Sequence, residues 1–467
     1  MIATVNDART AAAATDDVAP ARVRRLRRPS TPLMLRVGMA LACLPVVFFA
    51  AAVQLGVDRN DSTVRTVARD ATQGITVAQA LKLNLAELDQ IVVRDLLDPV
   101  TLGPSGFPGN YDDKRGELHD NLVLAAQESS TGAAYRQPLA NIDYALAHYH
   151  TLVKDAFAAH DQGDDIRAAE LYGLAGEVME GTLLSQADFV DKANTYVLND
   201  TYDRQKARAA STQQLIVVSL VVLLAFLVLT QLLMARRFRR LLNLPLLVAT
   251  AVTVATGLFA LARLDTSASD LTTAREQAFD SVHVLARARA TVVSARQAQG
   301  QLLLDPAGAS AAQVAFEAQA NQLFRVQDTT SLSGVATVAR DGEVPEGAGG
   351  FLAKVVFADA GGAGESSARH TVVAFGEFLS SDAELRQLVD DGDTAAAAAL
   401  YRSGVAFNEL TQAIDGVQAL DQATFDDHAD DAISATADLD RIAAVAAVAV
   451  LLLVALGLYQ RLREYGR

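Results

Sequence analysis

Four stretches of this chain run for about 18 to 20 residues without a single Asp, Glu, Lys, Arg or His. They are 37–57 (VGMALACLPVVFFAAAVQLGV), 215–234, 244–262 and 442–459 (IAAVAAVAVLLLVALGLY). Each is long enough to cross a hydrocarbon layer of ~30 Å as a helix. The chain as a whole is rich in Ala, lacks Trp and is 51% hydrophobic, which is a helical composition. The expected fold class is therefore an all-α membrane protein.

Orientation follows from the flanks, because Lys and Arg in short loops stay on the cytoplasmic side. ARVRRLRR (21–28) precedes the first span, ARRFRRLLN (235–243) joins the second to the third, and QRLREYGR follows the fourth. The expected order is a cytoplasmic tail (1–36), a span (37–57), an outer segment (58–214) and a span (215–234). A basic cytoplasmic loop (235–243), a span (244–262), a second outer segment (263–441), a span (442–459) and a short cytoplasmic tail (460–467) follow. The outer segments carry most of the acids that give the net charge of −15, and that acidity argues against nucleic acid as a partner. Cys43 lies inside its apolar run, which reads as a membrane anchor and not as a cleaved signal. As the only cysteine, it leaves no internal disulfide.

The tetrapeptide LLDP occurs at 96–99 and again at 303–306. The same offset of 207 carries the first span onto the third. Further on, GDDIRAAELY (163–172) matches GDTAAAAALY (392–401) at an offset of 229, which carries the second span onto the region of the fourth. The chain reads as two copies of one unit, a span, an outer segment and a span, with about 22 residues added in the second copy. In the first copy Leu81, Leu85, Leu88, Val92 and Leu96 recur at helical spacing, Asp98-Pro99 ends that helix, and helices of about 112–128 and 137–160 follow. Gly163 then supplies a helix stop, and Asp164 or Asp165 caps a fourth helix that runs into the second span. Each outer segment is thus expected to be a four-helix bundle, with LLDP and GDD at its membrane-distal end.

The second copy differs in an insert, 331–367, whose runs GVATVAR and FLAKVVFAD are rich in β-branched or aromatic residues. A small hairpin is one reading; a tolerated surface insertion is the preferred one.

Chemistry is sparse. His148 and His150 point to different faces of a helix, so with His119 they do not make a metal site, and Asp98, Asp161, Asp164 and Asp165 lack calcium-loop spacing. No nucleophile elbow, zinc-protease motif, phosphate loop or dinucleotide fingerprint is present. No enzyme activity, metal or cofactor is expected. The spans hold no Asp, Glu, Lys, Arg or His, which argues against transport, while Ala249, Thr253 and Gly257 form a small-residue stripe suited to close helix packing. Candidate contacts outside the membrane are Phe107 and Tyr111, in a loop at the bundle tip, together with Asp164 and Asp165; the alternative for the aromatics is that they fold back on the bundle. Candidate contacts inside are Arg236, Arg237, Arg239 and Arg240, which are in the first place topogenic.

An outward four-helix bundle between two spans resembles the ectodomains of bacterial chemoreceptors and sensor kinases. Four spans, two helical outer segments and no output domain resemble the actinobacterial GlnX-type membrane proteins. That resemblance implies a relay of an external amino-acid signal, with a solute-binding protein outside and a soluble Ser/Thr kinase inside as partners. A structural membrane scaffold or envelope-assembly protein is the reading of a different class.

Overall fold

A computed structural model of the chain describes residues 31–65, 72–98, 101–128, 133–238, 243–305, 308–326, 335, 344, 345, 347–358 and 364–465. These residues are almost wholly helical. The first half contains α1 (Thr31–Arg65), α2 (Thr72–Leu96), α3 (Gly109–Glu128), α4 (Ala133–Asp161) and α5 (Asp165–Val178). A π turn at Met179–Leu184 leads directly into the 54-residue α6 (Ser185–Phe238). The second half contains α7 (Leu244–Thr273), a π turn at Ala274–Phe279, α8 (Asp280–Leu304) and α9 (Ala309–Leu323). Then come α10 (Phe351–Ala358), α11 (Glu365–Asp390), α12 (Thr394–Ser403), α13 (Val405–Ser434) and α14 (Leu439–Tyr465). The strands are β1 (Arg325–Val326) and β2 (Ala348–Gly349), an antiparallel pair.

Among the described residues, three helical stretches are long and apolar enough to cross a membrane: Asp165–Arg236, Leu244–Thr273 and Thr394–Gln460. α1, which contains the first apolar window, packs beside them. Val46, Phe49 and Val53 share one buried cluster with Ile216, Leu223, Ala249 and Val450. The opposite faces expose Val218, Val221, Leu229 and Leu452, as expected where the surrounding solvent is hydrocarbon. The stripe of Ala249, Thr253 and Gly257 is buried, and a Cβ on Gly257 would run into Leu220. The small residue is what lets α6 and α7 approach.

Away from the membrane layer, α2, α3, α4 and α5 with the start of α6 enclose one core. Leu81, Leu85, Leu88 and Val92 are all fully buried there, as their spacing predicts. Helices α8, α9, α11 and α13 enclose the second. The positions 207 further on, Ala288, Val292, Ala295 and Gln299, are buried as well. Likewise Leu139, Ile142, Leu146 and Tyr149 of α4 and the positions 229 further on, Ala368, Thr371, Phe375 and Phe378 of α11, are all buried. At the distal ends Gly163 and Gly392 both adopt φ +78, and Asp164 and Asp393 each cap the following helix, accepting from Arg167 N at 3.1 Å and Ala396 N at 3.0 Å. The first core is continuous with the second half, because Leu302, Leu385 and Tyr401 belong to it.

The insert corrects the expectation. Phe351–Ala358 is not a strand, and it is not a surface addition: α10 is a helix that buries Leu352, Ala353, Val355 and Val356 in the second core. Val335 is buried beside it, against Gly376. The physical reason lies on α8, where Ala288 and Ala295 stand in place of Leu81 and Leu88 and leave volume for another helix. Buried positions at i, i+3 and i+4 are a helical pattern, but in so short an apolar run the β-branched content points the other way. The rest of 331–367 is described only at 335, 344, 345, 347–358 and 364–367.

Candidate functional site

The two bundles meet along α2 and α8, and several buried polar and charged side chains lie beside that seam. Asp89 lies between Leu85, Leu88 and Val92 on the apolar face of α2 and is fully buried. Its carboxylate accepts hydrogen bonds from Tyr149 Oη of α4 at 2.6 Å and Tyr172 Oη of α5 at 3.0 Å. Among the described residues no Lys or Arg hydrogen-bonds to it. Burial pushes its pKa up to about 7, the two phenols pull it down, and Glu180 adds a smaller upward push. Both phenols are held well above their ordinary value, first by burial and then by the Asp89 charge.

The network continues into the second half. Gln297 Nε2 of α8 donates to Tyr172 Oη at 3.3 Å. One residue earlier, the Arg296 guanidinium stacks 3.9 Å over the Tyr401 ring, donates to the Tyr401 carbonyl, and donates to Gln299 Oε1 at 2.9 Å. Gln299 Nε2 in turn reaches Asp382 Oδ1 at 3.1 Å, and Arg386 holds the other oxygen of Asp382 at 2.7 Å. At the distal end of the seam a Cβ on Gly300 would collide with Val93 and with Tyr401 Oη. Only glycine admits this approach of the two helices.

Ion pairs flank the seam. Glu87 binds Lys114 at 2.6 Å and Arg289 at 3.5 Å, and Arg289 binds Asp415 at 2.7 Å, so one chain of charges links α3, α2, α8 and α13. Nearer the membrane Gln79 is hydrogen-bonded to His283, which lies 3.8 Å from Asp191; desolvation lowers the pKa of His283 and raises that of Asp191. Where the helices enter the membrane layer, Arg59 donates to Thr212 at 2.9 Å and Asn60 donates to Ser267 at 2.8 Å. Asn60 and Ser267 are 207 residues apart, the spacing of the two LLDP stretches. At the distal tip Asp98 of the first LLDP pairs with Arg402 at 2.9 Å.

Asp89 is well suited to couple protonation to packing. As a carboxylate it accepts from both phenols. Once protonated it must donate to one of them, and that phenol then needs another acceptor for its own proton. One of the two phenols is the partner of Gln297 across the seam. The site offers a set of buried hydrogen bonds that can be rearranged.

The residues singled out from sequence fall elsewhere. Phe107 and Tyr111 are buried, stacked at 4.6 Å between ring centroids, with His150 edge-on to both. Burial lowers the pKa of His150 to about 4, and Arg115 adds to the shift. The aromatics are folded back on the bundle, so their side chains are not exposed at the tip. Asp164 caps α5, and Asp165 is hydrogen-bonded to His160 at 2.8 Å. Arg236 is exposed near the end of α6. Arg237 is in that helix with its side chain undescribed, and Arg239 and Arg240 lie outside the described residues. No group of three or more His, Cys, Asp or Glu suited to a metal occurs among the described residues.

Asp89, Arg296 and Gly300 were not singled out from sequence. The signal was present: the 207 offset sets Asp89 on Arg296 and Val93 on Gly300, a charge reversal and a loss of side chain within an otherwise apolar stripe.

Residues 63–203, which include Asp89, Tyr149 and Tyr172, match the family model described as an actinobacterial sensor domain. No curated protein and no solved structure matches the chain. The match supports a sensing role and fits a sensor protein of actinobacteria.

Proposed function

We propose that the chain is a membrane relay in which two copies of one sensor unit, related by a pseudo-twofold axis, pass an external solute signal to a cytosolic partner. The reading has four spans with both termini in the cytoplasm, a solute-binding protein as the outer partner and a Ser/Thr kinase as the inner one. The observation that carries it is the seam. A buried, unneutralised carboxylate inside the sensor-domain match is linked through Tyr172 and Gln297 to the other half, and α7 and α8, joined by a π turn, run from that seam into the membrane layer. Contact between Asn60 and its counterpart Ser267, and close approach of Val93 to its counterpart Gly300, are what an axis between equivalent helices requires. Shifts of ~1 to 2 Å at such an interface are the ordinary currency of helical signalling.

Proximity labelling from a tag inserted in 235–243 tests the relay. In cells moved between media with and without amino acids, the labelling of a cytosolic kinase changes with the medium, and the change is lost in Gly300→Leu. A labelling pattern that ignores the medium rejects the relay. Orientation has its own check in a Cys43→Ser background: Asp164→Cys reacts with an impermeant maleimide in intact cells and Arg236→Cys does not.

A further inference from the structure

At the membrane-proximal end of the seam three helices meet around His283 of α8. Gln79 Nε2 of α2 is hydrogen-bonded to its Nδ1. An amide nitrogen donates and does not accept, so Nδ1 is the acceptor and the ring is the neutral tautomer with its proton on Nε2. Asp191 Oδ1 of α6 stands 3.8 Å from the same Nδ1. Asp191 is buried, and among the described residues that oxygen accepts no hydrogen bond. A buried carboxylate oxygen without a donor is costly, which marks it as an acceptor that the neutral ring leaves unused. The helices that carry the two groups each begin at a π turn, Ala274–Phe279 before α8 and Met179–Leu184 before α6. Such irregular turns are frequent at functional sites.

The charges around the ring leave room for one more proton. Lys82 of α2 pairs with Asp188 of α6 at 2.5 Å. Arg287, one turn further along α8, acts on both Asp191 and His283, and its guanidinium lies 5.1 Å over the Phe351 ring of α10. Asp280 lies one turn earlier on α8 and acts on His283 from there. Arg275 of the π turn donates to Asn199 of α6, and Asp421 of α13 accepts from Ser281. The acids Asp188, Asp191 and Asp280 thus face two bases, Lys82 and Arg287, and a protonated His283 balances them. Desolvation lowers the pKa of His283 from its ordinary 6.5, and Asp191 opposes that shift. The ring is therefore charged only by acidification beyond the ordinary histidine range.

We propose that His283 is a proton-operated contact: neutral, it accepts from Gln79 and ties α8 to α2; protonated from solvent at Nδ1, it leaves Gln79 and donates to Asp191, tying α8 to α6. The imidazolium bears a hydrogen on each nitrogen, so the amide of Gln79 then faces another donor, while the new bond to the carboxylate is charge-assisted and stronger than the one given up. The contact is separate from Asp89, which lies ten residues, about 15 Å, further along α2. Its part in signalling rests on the relay reading; its titration does not.

The test is nitrogen NMR of the full chain in nanodiscs, labelled at its seven histidines and titrated from pH 8 to 5, with His283→Asn to assign the resonance. At pH 8 the bare nitrogen of His283 is Nδ1, and on acidification a low-field Nδ1 proton appears. Asp191→Asn abolishes that proton and moves the titration down by about one pH unit or more. Gln79→Met, of similar length and without a donor, moves it up by about half a unit. Asp203→Asn removes an exposed acid of α6 about 18 Å from Asp191 along the helix and leaves the titration in place. A protonated Nδ1 at pH 8 overturns the proposal, as does a shift in Asp191→Asn no larger than in the control. So does a downward shift in Gln79→Met, which would mean that Gln79 accepts from the charged ring. If Asp191→Asn does not fold, the wild-type tautomer and the Gln79→Met shift still decide. A titration that meets these criteria while labelling from 235–243 is the same at pH 8 and 5 keeps the contact and removes its sensory role, so the two failures are distinguishable.

Discussion

Asp89 on α2 and Arg296 on α8 occupy matching positions and are both buried, but the layers around them are inverted. In the first bundle the acid is on the first helix and α4 answers with Tyr149. In the second, α11 has Phe378 where α4 has Tyr149, and Asp382 where α4 has Val153. The acid has moved from one helix to another, and the first helix carries the cation instead. Among the described residues Arg296 meets no carboxylate directly; it relies on Gln299, the Tyr401 carbonyl and the faces of Tyr401 and Phe407. Burying a charge without a counter-ion is costly, and each bundle offsets that cost with groups of its own. The halves share a backbone plan and are not interchangeable in their interiors. A seam between two unlike layers can respond to one signal without its opposite half responding in the same way.

The cores differ in volume as well. α8 replaces two leucines of α2 by alanine, and α10 occupies the space. The strongest way to break this comparison is to empty α10. Leu352→Ala costs about 3 kcal/mol and Val356→Ala about 1 kcal/mol, read as a lower urea midpoint of the second bundle. An insert that merely decorated the surface would tolerate both within about 0.5 kcal/mol.

Next in size is the crossing of α2 and α8. Gly300→Leu places a side chain against Val93 and Tyr401 and costs about 2–3 kcal/mol. Val93→Ala in the same chain restores part of the loss. Thermal unfolding of the two variants and their combination reads the coupling, and strict additivity would show that the two residues do not meet.

A smaller effect comes from pH. A carboxyl whose folded pKa is raised holds its proton more tightly folded than unfolded, so Asp89 stabilises the fold below its ordinary range and that contribution is lost as pH rises through about 7. Acidification from pH 8 to 6.5 therefore gains about 1 kcal/mol. Below pH 6.5 the gain flattens, because His150, lowered to about 4, favours the neutral form and opposes folding increasingly as pH falls toward 4. In Asp89→Asn the rise between pH 8 and 6.5 disappears while the decline due to His150 remains. Retention of the full rise in that variant would assign it to another group.

The smallest effect is at the tip. Arg402→Met removes the pair with Asp98, both partly exposed, and costs less than about 1 kcal/mol. It should alter packing between the bundle tips more than stability, as read by crosslinking across the seam.

Much of the architecture was legible because helical periodicity and the two repeated motifs, LLDP and GD, speak in the same register. The leucine stripe of α2, the stop at Gly163 and the capping by Asp164 could all be read from spacing. The matching burial of Ile142 and Thr371 follows from the same alignment. The seam was not legible as a site. One Asp within a stripe of leucines looks like the edge of that stripe until Tyr149 and Tyr172, some 60 and 83 residues away, are brought to it. For Phe107 and Tyr111 the sequence left two placements open, a contact at the tip or a fold back onto the bundle, because a turn-rich loop states that the chain reverses, not which way its aromatics face. The insert was hard because eight residues of α10 are too few for periodicity to outweigh β-branched content.

The most direct test of coupling between seam and membrane uses the contact of Asn60 with Ser267. Gly300 lies 33 residues from Ser267, about 50 Å along α7 and α8. In the Cys43→Ser chain in native membranes, Asn60→Cys with Ser267→Cys forms a disulfide within one chain, and Gly300→Leu changes its rate of formation several-fold. Failure to form the intrachain disulfide, or the same rate with and without Gly300→Leu, would contradict the account.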